Sequence, residues 1–297
     1  MKDLVLAIGN FDGVHCGHQK IISAAKNLAA EMGLENNWGV MFFDPHPRIA
    51  LKNHCGFLLT STAEKLELLK NLGVPCFYVI PFKEIQNLNA HEFFHEILQK
   101  KYNVRGLITG DDFNFGKNRL GDANLIAELS KHTGIKYICL EKQMYNADIA
   151  YSSTNIRKLI GEGNIQLANN LLGHNYKITA PVMHGNKLGR TLGFPTANLS
   201  IAEYAAPKYG VYVVYAFVDG VRYKAIANFG LRPSVSNKKK ELLEVNLFDF
   251  EGDLYEASIS VEFIDFIRIE QKFASLEDLK NQLNQDKIFA INYFEKL

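Results

Sequence analysis

The alternation along the first 173 residues constrains the fold more than any other feature of this chain. Short apolar runs, "LVLAI" at residues 4–8, "WGVMFF" (38–43), "FYVIPF" (77–82), "RGLITG" (105–110) and "KYICL" (136–140), read as strands. Between them lie amphipathic stretches such as "TAEKLELLKNLG" and "AHEFFHEILQKKY". Strands that alternate with helices make a parallel sheet, because a parallel neighbour is reached only through a crossover. From about residue 178 the texture changes. "YGVYVVYAFV", "RYKAIANFG", "LEVNLFDF" and "LYEASISVEFIDFIRI" are strand-like, and Asp219-Gly220 marks a tight hairpin. Ser275 with Asp278 three residues on opens a closing helix. The second half is therefore expected to be a small antiparallel barrel or sandwich plus one helix. With 297 residues favouring two domains, the expected boundaries are 1–175 and 178–297.

Charge and cysteine usage remove several function classes. A net charge of +1 lacks the concentrated basic surface of a non-specific nucleic-acid binder. Lys238-Lys239-Lys240 reads as a solvated loop tip. Cys16, Cys55, Cys76 and Cys139 form no C-x-x-C pair, so neither a zinc site nor a disulfide scaffold is expected. The first strand starts close to Met1, leaving no room for a secretion leader, and no apolar run reaches membrane length. The expectation is a cytoplasmic protein whose partners are small molecules, with no nucleic acid, membrane or obligatory protein partner.

"GNFDGVHCGH" follows the first strand and precedes a helix whose Ile21, Ile22, Ala25, Leu28, Ala29 and Met32 share a face. It is a strand-to-helix turn, where backbone N–H groups and the helix dipole favour phosphate. Gly13 and Gly17 leave the backbone open, and His15 and His18 can donate to phosphoryl oxygens whose charge grows in a transition state. No Gly-Lys-Ser/Thr follows, so this is not a Walker A loop. "DPHPR" and "GDDFNFG" follow two other strands, at the carboxyl edge where open α/β sheets bind ligands. In "YSSTNIRKLI", Ser152, Ser153 and Thr154 can cap a helix, and Arg157 lies one turn in on the same face. "GNKLGRTLGFPTANL" is too rich in Gly, Pro and small polar residues for a core strand; Thr196 and Asn198 within it offer oxygen ligands suited to Mg²⁺. Glu244, read alone on its alternating strand, is a solvated outward carboxylate.

Seven stretches in order, "GNFDGVHCGH", "FDPHP", "GDDFNFG", "YSSTNIR", "GRTLGFPTANL", "ANFGLRPS" and "LEVNLFDFEGDLY", resemble the bacterial bifunctional riboflavin kinase/FMN adenylyltransferase family, also called FAD synthetase. H-x-G-H alone is shared with class I aminoacyl-tRNA synthetases, but their K-M-S-K-S loop is absent here. The resemblance implies a Rossmann-like α/β nucleotidyltransferase domain followed by an antiparallel β-barrel riboflavin kinase domain with a C-terminal helix. ATP, riboflavin, FMN and FAD would be its substrates or products, with Mg²⁺ as cofactor. His15 and His18 would contact the ATP phosphates of adenylyl transfer, on a turn built by Gly9, Asn10, Phe11, Asp12, Gly13 and Gly17. Ser152, Ser153, Thr154 and Arg157 would hold the rest of that triphosphate, and Asp112 would line the flavin side.

In the kinase half, the resemblance implies cofactor binding by Gly189, Arg190, Gly193, Phe194, Pro195 and Arg268, metal ligation by Thr196 and Asn198, and a catalytic base at Glu244. That last assignment reverses the reading of Glu244 taken alone. The chain departs from the family's usual His, Thr and Gly at Asn246, Ser234 and Glu256. Two other readings stand beside this one: a monofunctional FMN adenylyltransferase whose barrel only binds flavin, and a non-catalytic flavin-sensing protein.

Overall fold

The computed structural model describes residues 2–52, 56–184, 193–232, 240–255 and 257–297. Of the expected site residues, Gly189 and Arg190 lie outside the described residues, as do Cys55, Ser234, Lys238, Lys239 and Glu256. By compactness the chain divides into Met1–His54 with Thr60–Ser153, and Cys55–Leu59 with Thr154–Leu297.

The first unit carries β1 (Leu4–Ile8), α1 (Cys16–Glu31), β2 (Trp38–Asp44), α2 (Pro47–Lys52), α3 (Thr62–Asn71), β3 (Phe77–Pro81), α4 (Phe82–Ile85), α5 (Ala90–Glu92), β4 (Val104–Gly110), α6 (Ala123–Thr133) and β5 (Lys136–Leu140). All five strands pair in parallel, in the order β3-β2-β1-β4-β5. β1 is buried at every residue and divides its side chains between two cores, as a period of two requires. Val5 and Ala7 pack with Ile22, Ala25, Leu28 and Ala29 of α1, while Leu4, Leu6 and Ile8 pack with Phe93, Phe94 and Leu98. Those last three belong to a π-helical run, Phe93–Lys101, continuing from α5 where the sequence pattern suggests an ordinary amphipathic helix. The strand order matters for the site. β1 lies between β2 and β4, so the chain leaves it in opposite directions along the sheet, and the carboxyl ends of these three strands share one edge. "GNFDGVHCGH", "FDPHP" and "GDDFNFG" all begin there.

The second unit carries most of α7 (Ser153–Glu162), then α8 (Ile165–Leu172), β6 (Tyr176–Met183), β7 (Ala197–Leu199), β8 (Gly210–Val218), β9 (Val221–Arg232), β10 (Lys240–Leu247), β11 (Ser258–Ile269) and a C-terminal helix, Leu276–Phe294. The strands close into a barrel in the order β10-β7-β6-β11-β8-β9, every pair antiparallel. Of barrel and sandwich, the barrel is the one formed. Asp219 and Gly220 both take left-handed backbone (φ 49° and 80°), the geometry of a two-residue hairpin turn. α8 packs against β6 and β11. Among the described residues no helix is long and apolar enough to cross a membrane.

The C-terminal helix starts as its capping pattern predicts, Ser275 Oγ accepting from Asp278 N at 3.1 Å. Its Ala290 and Phe294 pack with Val213, Ile226, Phe248 and Ile264 of the barrel. A two-pronged ion pair fixes it: Arg268 Nε and a terminal nitrogen donate to the two Asp286 oxygens at 2.9 and 2.7 Å. Asp286 is only 2% exposed. Removing one partner of a buried pair leaves the other charge uncompensated. Asp286→Leu is therefore expected to destabilise the protein by about 3–5 kcal/mol, and Arg268→Met with Asp286→Leu to recover most of that loss. Urea unfolding followed by circular dichroism checks this; a double variant no more stable than the single one would refute it.

Candidate active sites

The turn after β1 is built from uncommon backbone. Phe11 (φ 48°), Gly13 (φ 82°) and Val14 (φ 40°) are all left-handed, a conformation that glycine takes freely and a β-branched residue does not. Four hydrogen bonds from elsewhere in the unit hold it. Thr60 N donates to Asp12 Oδ1 at 3.2 Å, and Gly13 N to Thr60 Oγ1 at 3.0 Å. Lys65 Nζ donates to Asn10 O at 2.8 Å, and Ser153 Oγ to Asp12 O at 2.9 Å. Asp12, Thr60 and Lys65 are all buried.

From this turn α1 begins. His15 is its N-cap, with Nδ1 accepting from His18 N at 3.3 Å. An imidazole accepting at Nδ1 carries its proton on Nε2 when neutral, so His15 is set as an Nε2 donor. The His15 and His18 rings stack with centroids 3.6 Å apart, and Phe11 meets His18 edge-on at 5.2 Å. Gly17 gives the pair room: a Cβ there would stand 3.1 Å from the His15 ring and 3.1 Å from Tyr151 Cβ. The fold thus brings the two candidate histidines into direct ring contact. Gly9 lies similarly close to the Phe11 ring, at 3.3 Å for an added Cβ.

Asp112 is exposed on the loop after β4; its backbone carbonyl accepts from Asn114 Nδ2 at 2.8 Å, and the neighbouring Asp111 carboxylate accepts from Lys142 N at 3.0 Å. Ser152 is half-buried just before α7, and Thr154 is exposed in its first turn. Arg157 stacks its guanidinium on the Phe57 ring at 3.6 Å and donates from Nε to Phe57 O at 2.7 Å.

In the barrel, Glu244 on β10 pairs in register with Asn198 on β7 and Asn228 on β9. Residues opposite one another across strands share a face, so these three polar side chains form a row. Asn246 lies on the same face and is buried; its Nδ2 donates to Pro195 O at 2.7 Å, tying β10 to the start of "PTAN". Leu243 and Val245, the neighbours of Glu244 along the strand, turn to the opposite, fully buried side. Thr196 is exposed and Asn198 buried, and the Asn198 amide nitrogen donates to Thr196 O at 3.5 Å. An amide in register with a carboxylate and a hydroxyl two residues before that amide are oxygen donors of the kind that fits Mg²⁺, which takes few protein ligands and keeps phosphates and water. Among the described residues no cluster of three or more His, Cys, Asp and Glu could hold a metal. Gly193 (φ 83°) and Pro195 are exposed and Phe194 is buried. Arg268 is engaged with Asp286, and its remaining terminal nitrogen donates to Ile269 O at 3.1 Å.

Two residues at these sites have no motif to announce them, Thr60 and Lys65, while Asn228 lies within "ANFGLRPS" but has no role assigned from sequence there. Burial lowers the Lys65 ammonium from the ordinary lysine range, and the carboxylates of Asp12 and Asp44 oppose that fall. Its Nζ also stands 4.6 Å from the centre of the Phe42 ring. The only local signal was "STAEK", where Ser61 and Glu64 form a capping box that fixes the start of α3.

The riboflavin kinase family model matches residues 172–294, and the FAD synthetase model matches residues 1–155. The bifunctional riboflavin kinase/FMN adenylyltransferase of Bacillus subtilis is 38% identical, covering 99% of this chain and 93% of that protein. Its namesake in Escherichia coli K12 is 37% identical, covering 98% and 92%. A crystal structure from Streptococcus pneumoniae, named a macrolide-efflux protein, superposes with a TM-score of 0.85 at 32% identity over 98% of this chain and 95% of that one.

Cys16, the first residue of α1, tests the electrostatics of the turn. Burial raises its thiol above the ordinary range, outweighing the lowering by its own backbone hydrogen bond and by Lys20. Because the thiolate is the nucleophile, iodoacetamide at neutral pH is expected to label exposed Cys139 well before Cys16. Labelling of Cys16 should go on rising beyond the pH at which an ordinary thiol levels off. Peptide mass spectrometry reads both; preferential labelling of Cys16 at neutral pH would mean that the helix terminus dominates.

Proposed function

The chain belongs to the bifunctional riboflavin kinase/FMN adenylyltransferase family, and from that premise we infer that it phosphorylates riboflavin with ATP to FMN, then adenylylates FMN with a second ATP to FAD and pyrophosphate. The observation that carries the reading is the match of both family models to one chain, with relatives of that name along its whole length. ATP, riboflavin and FMN are the small molecules it requires, and we place the reaction in the cytoplasm, with no obligatory protein partner.

We assign the chemistry as follows. In the barrel, the ribityl hydroxyl lies against Glu244. The carboxylate accepts its proton as the hydroxyl oxygen bonds to the γ-phosphorus and ADP departs. The in-register Asn198 and Asn228 support this placement, since a base must be held at hydrogen-bond distance and a strand row is rigid. Thr196 and Asn198 would hold Mg²⁺, which when bound neutralises triphosphate charge. Asn246 keeps those ligands in place through Pro195.

In the first unit, an FMN phosphate oxygen attacks the α-phosphorus of ATP and pyrophosphate leaves. His15 and His18 donate to phosphate oxygens as negative charge builds, from a helix N-terminus that favours it. From the family resemblance alone we assign Ser152, Ser153, Thr154 and Arg157 to the rest of the triphosphate and Asp112 to the flavin border. Gly189, Arg190, Gly193, Phe194, Pro195 and Arg268 remain proposed contacts for the kinase substrates. Neither step needs a protein nucleophile; orientation and charge stabilisation supply the catalysis.

The test separates the two activities. Glu244→Gln is expected to nearly abolish FMN formation from riboflavin while FAD formation from supplied FMN persists. His18→Ala is expected to slow adenylyl transfer by roughly a hundredfold or more, the scale for losing one transition-state donor, and to spare the kinase. Chromatography of the flavins after incubation with ATP and Mg²⁺ reads both. Normal kinase turnover in Glu244→Gln would remove the base role, and joint loss of both activities in His18→Ala would remove the division of labour.

A further inference from the structure

Lys65 lies in no site motif, yet it is among the most deeply buried charged residues of the first unit, at 3% exposure. A lysine on an amphipathic helix normally keeps its ammonium in water and buries only its stem. Here the ammonium itself is inside. It donates to Asn10 O at 2.8 Å, lies over Phe42, and has Asp12 and Asp44 as its opposing charges. Desolvating an ammonium is costly, and a well-packed apolar residue would fill the same space at no such cost. What an apolar residue could not do is hold a backbone carbonyl.

That carbonyl is well chosen. Asn10 immediately precedes the left-handed run at Phe11, Gly13 and Val14, and the run ends at His15, the cap of α1. Non-glycine residues keep such a conformation only when their surroundings over-determine it. Thr60 holds Asp12 and Gly13 in the middle of the turn. Lys65 holds its entry. With the entry fixed, the turn has one path to α1, and the stacked rings of His15 and His18 have one place to stand.

We propose that Lys65 is a positioning residue for adenylyl transfer, holding the Asn10 carbonyl so that His15 and His18 meet the ATP phosphates in register. The inference rests on the reading that these histidines act in that step. Lys65 touches no reacting atom; it acts through the turn.

The experiment uses the full-length chain carrying Lys65→Met, Lys65→Arg, His18→Ala, and each lysine variant combined with His18→Ala. FAD formation from FMN and ATP gives kcat and KM, and FMN formation from riboflavin in the same preparation reports on the barrel. Lys65→Met is expected to lower kcat for adenylyl transfer by about a hundredfold, the scale for a catalytic group moved by about an ångström. KM for ATP should change only a few-fold, and kinase turnover should stay at the wild-type level. Lys65→Arg, which keeps a donor at a different reach, is expected to recover part of the rate.

The deciding readout is the double variant. If Lys65 works through the histidines, adding His18→Ala to either lysine variant costs much less than it does in the wild type. Fully multiplicative losses, or a Lys65→Met protein with wild-type kcat, overturn the proposal. If Lys65→Met does not fold, the Lys65→Arg pair decides by the same criterion. A wild-type rate in His18→Ala alone would instead strike the underlying role of the histidines.

Discussion

The left-handed backbone between Phe11 and Val14 is the constraint on which the chemistry of the first unit stands. Each non-glycine residue held there costs on the order of 1–3 kcal/mol, so the turn survives only because its surroundings repay it. The repayment comes from hydrogen bonds delivered over long sequence distances, by Thr60, Lys65 and Ser153. Without the turn, β1 would run on as extended chain and α1 would start at another residue. His15 would then lose the cap position that fixes its tautomer, and the stack with His18 would go with it. The geometry of the imidazoles is thus a consequence of backbone held under strain from below.

In the barrel the corresponding constraint is closure. An open sheet leaves its edge strand free to slip, and a slip of one residue turns every side chain to the other face. β7 has only three residues, yet it pairs with β10 on one side and β6 on the other. Its register is therefore set twice, and Asn198 has no freedom to leave Glu244. β10 is fixed in turn by eight cross-strand partners on β9, which place Asn228 on the other flank of the carboxylate. The row Asn198–Glu244–Asn228 exists because β10 is paired on both of its edges.

Much of this was legible in the sequence, for physical reasons. Strand runs such as "LVLAI" are buried on both faces, and that burial makes them continuously apolar. Strand-to-helix turns at the carboxyl edge of a parallel sheet gather loops by topology alone, so "GNFDGVHCGH" could be placed before any coordinate was known. Glu244 was not legible by itself. Its alternating strand fits a solvated carboxylate equally well, and the base role comes from the family resemblance; the fold adds that it pairs with Asn198, 46 positions away. Lys65 was hidden for a similar reason: within "TAEKLELLKN" its spacing is that of a polar helix face, and its burial is decided by Phe42 and Asn10, neither nearby in sequence. Asn246 read as a mere departure from the family's usual histidine, whereas its amide reaches the Pro195 carbonyl.

One device recurs at these loops and explains why so many informative residues lie outside the motif they serve. Lys65 donates to Asn10 O, Asn246 to Pro195 O and Arg157 to Phe57 O, in each case from a helix or strand to the backbone of an irregular segment. Segments rich in glycine, proline and small polar residues have few apolar side chains to bury (Phe11 and Val14 in the first turn, Phe194 before β7), so much of their backbone needs other anchors. Their carbonyls still need partners when water is excluded, and a long side chain on a rigid element can supply one without filling the cavity. The cationic donors, Lys65 and Arg157, suit the task, because a charge-assisted bond to a carbonyl is roughly twice as strong as a neutral one. The strength needed to hold a binding loop is therefore exported to neighbouring elements. Which carbonyl each donor holds is decided by contacts distant in sequence, so that pairing appears only once the chain is folded.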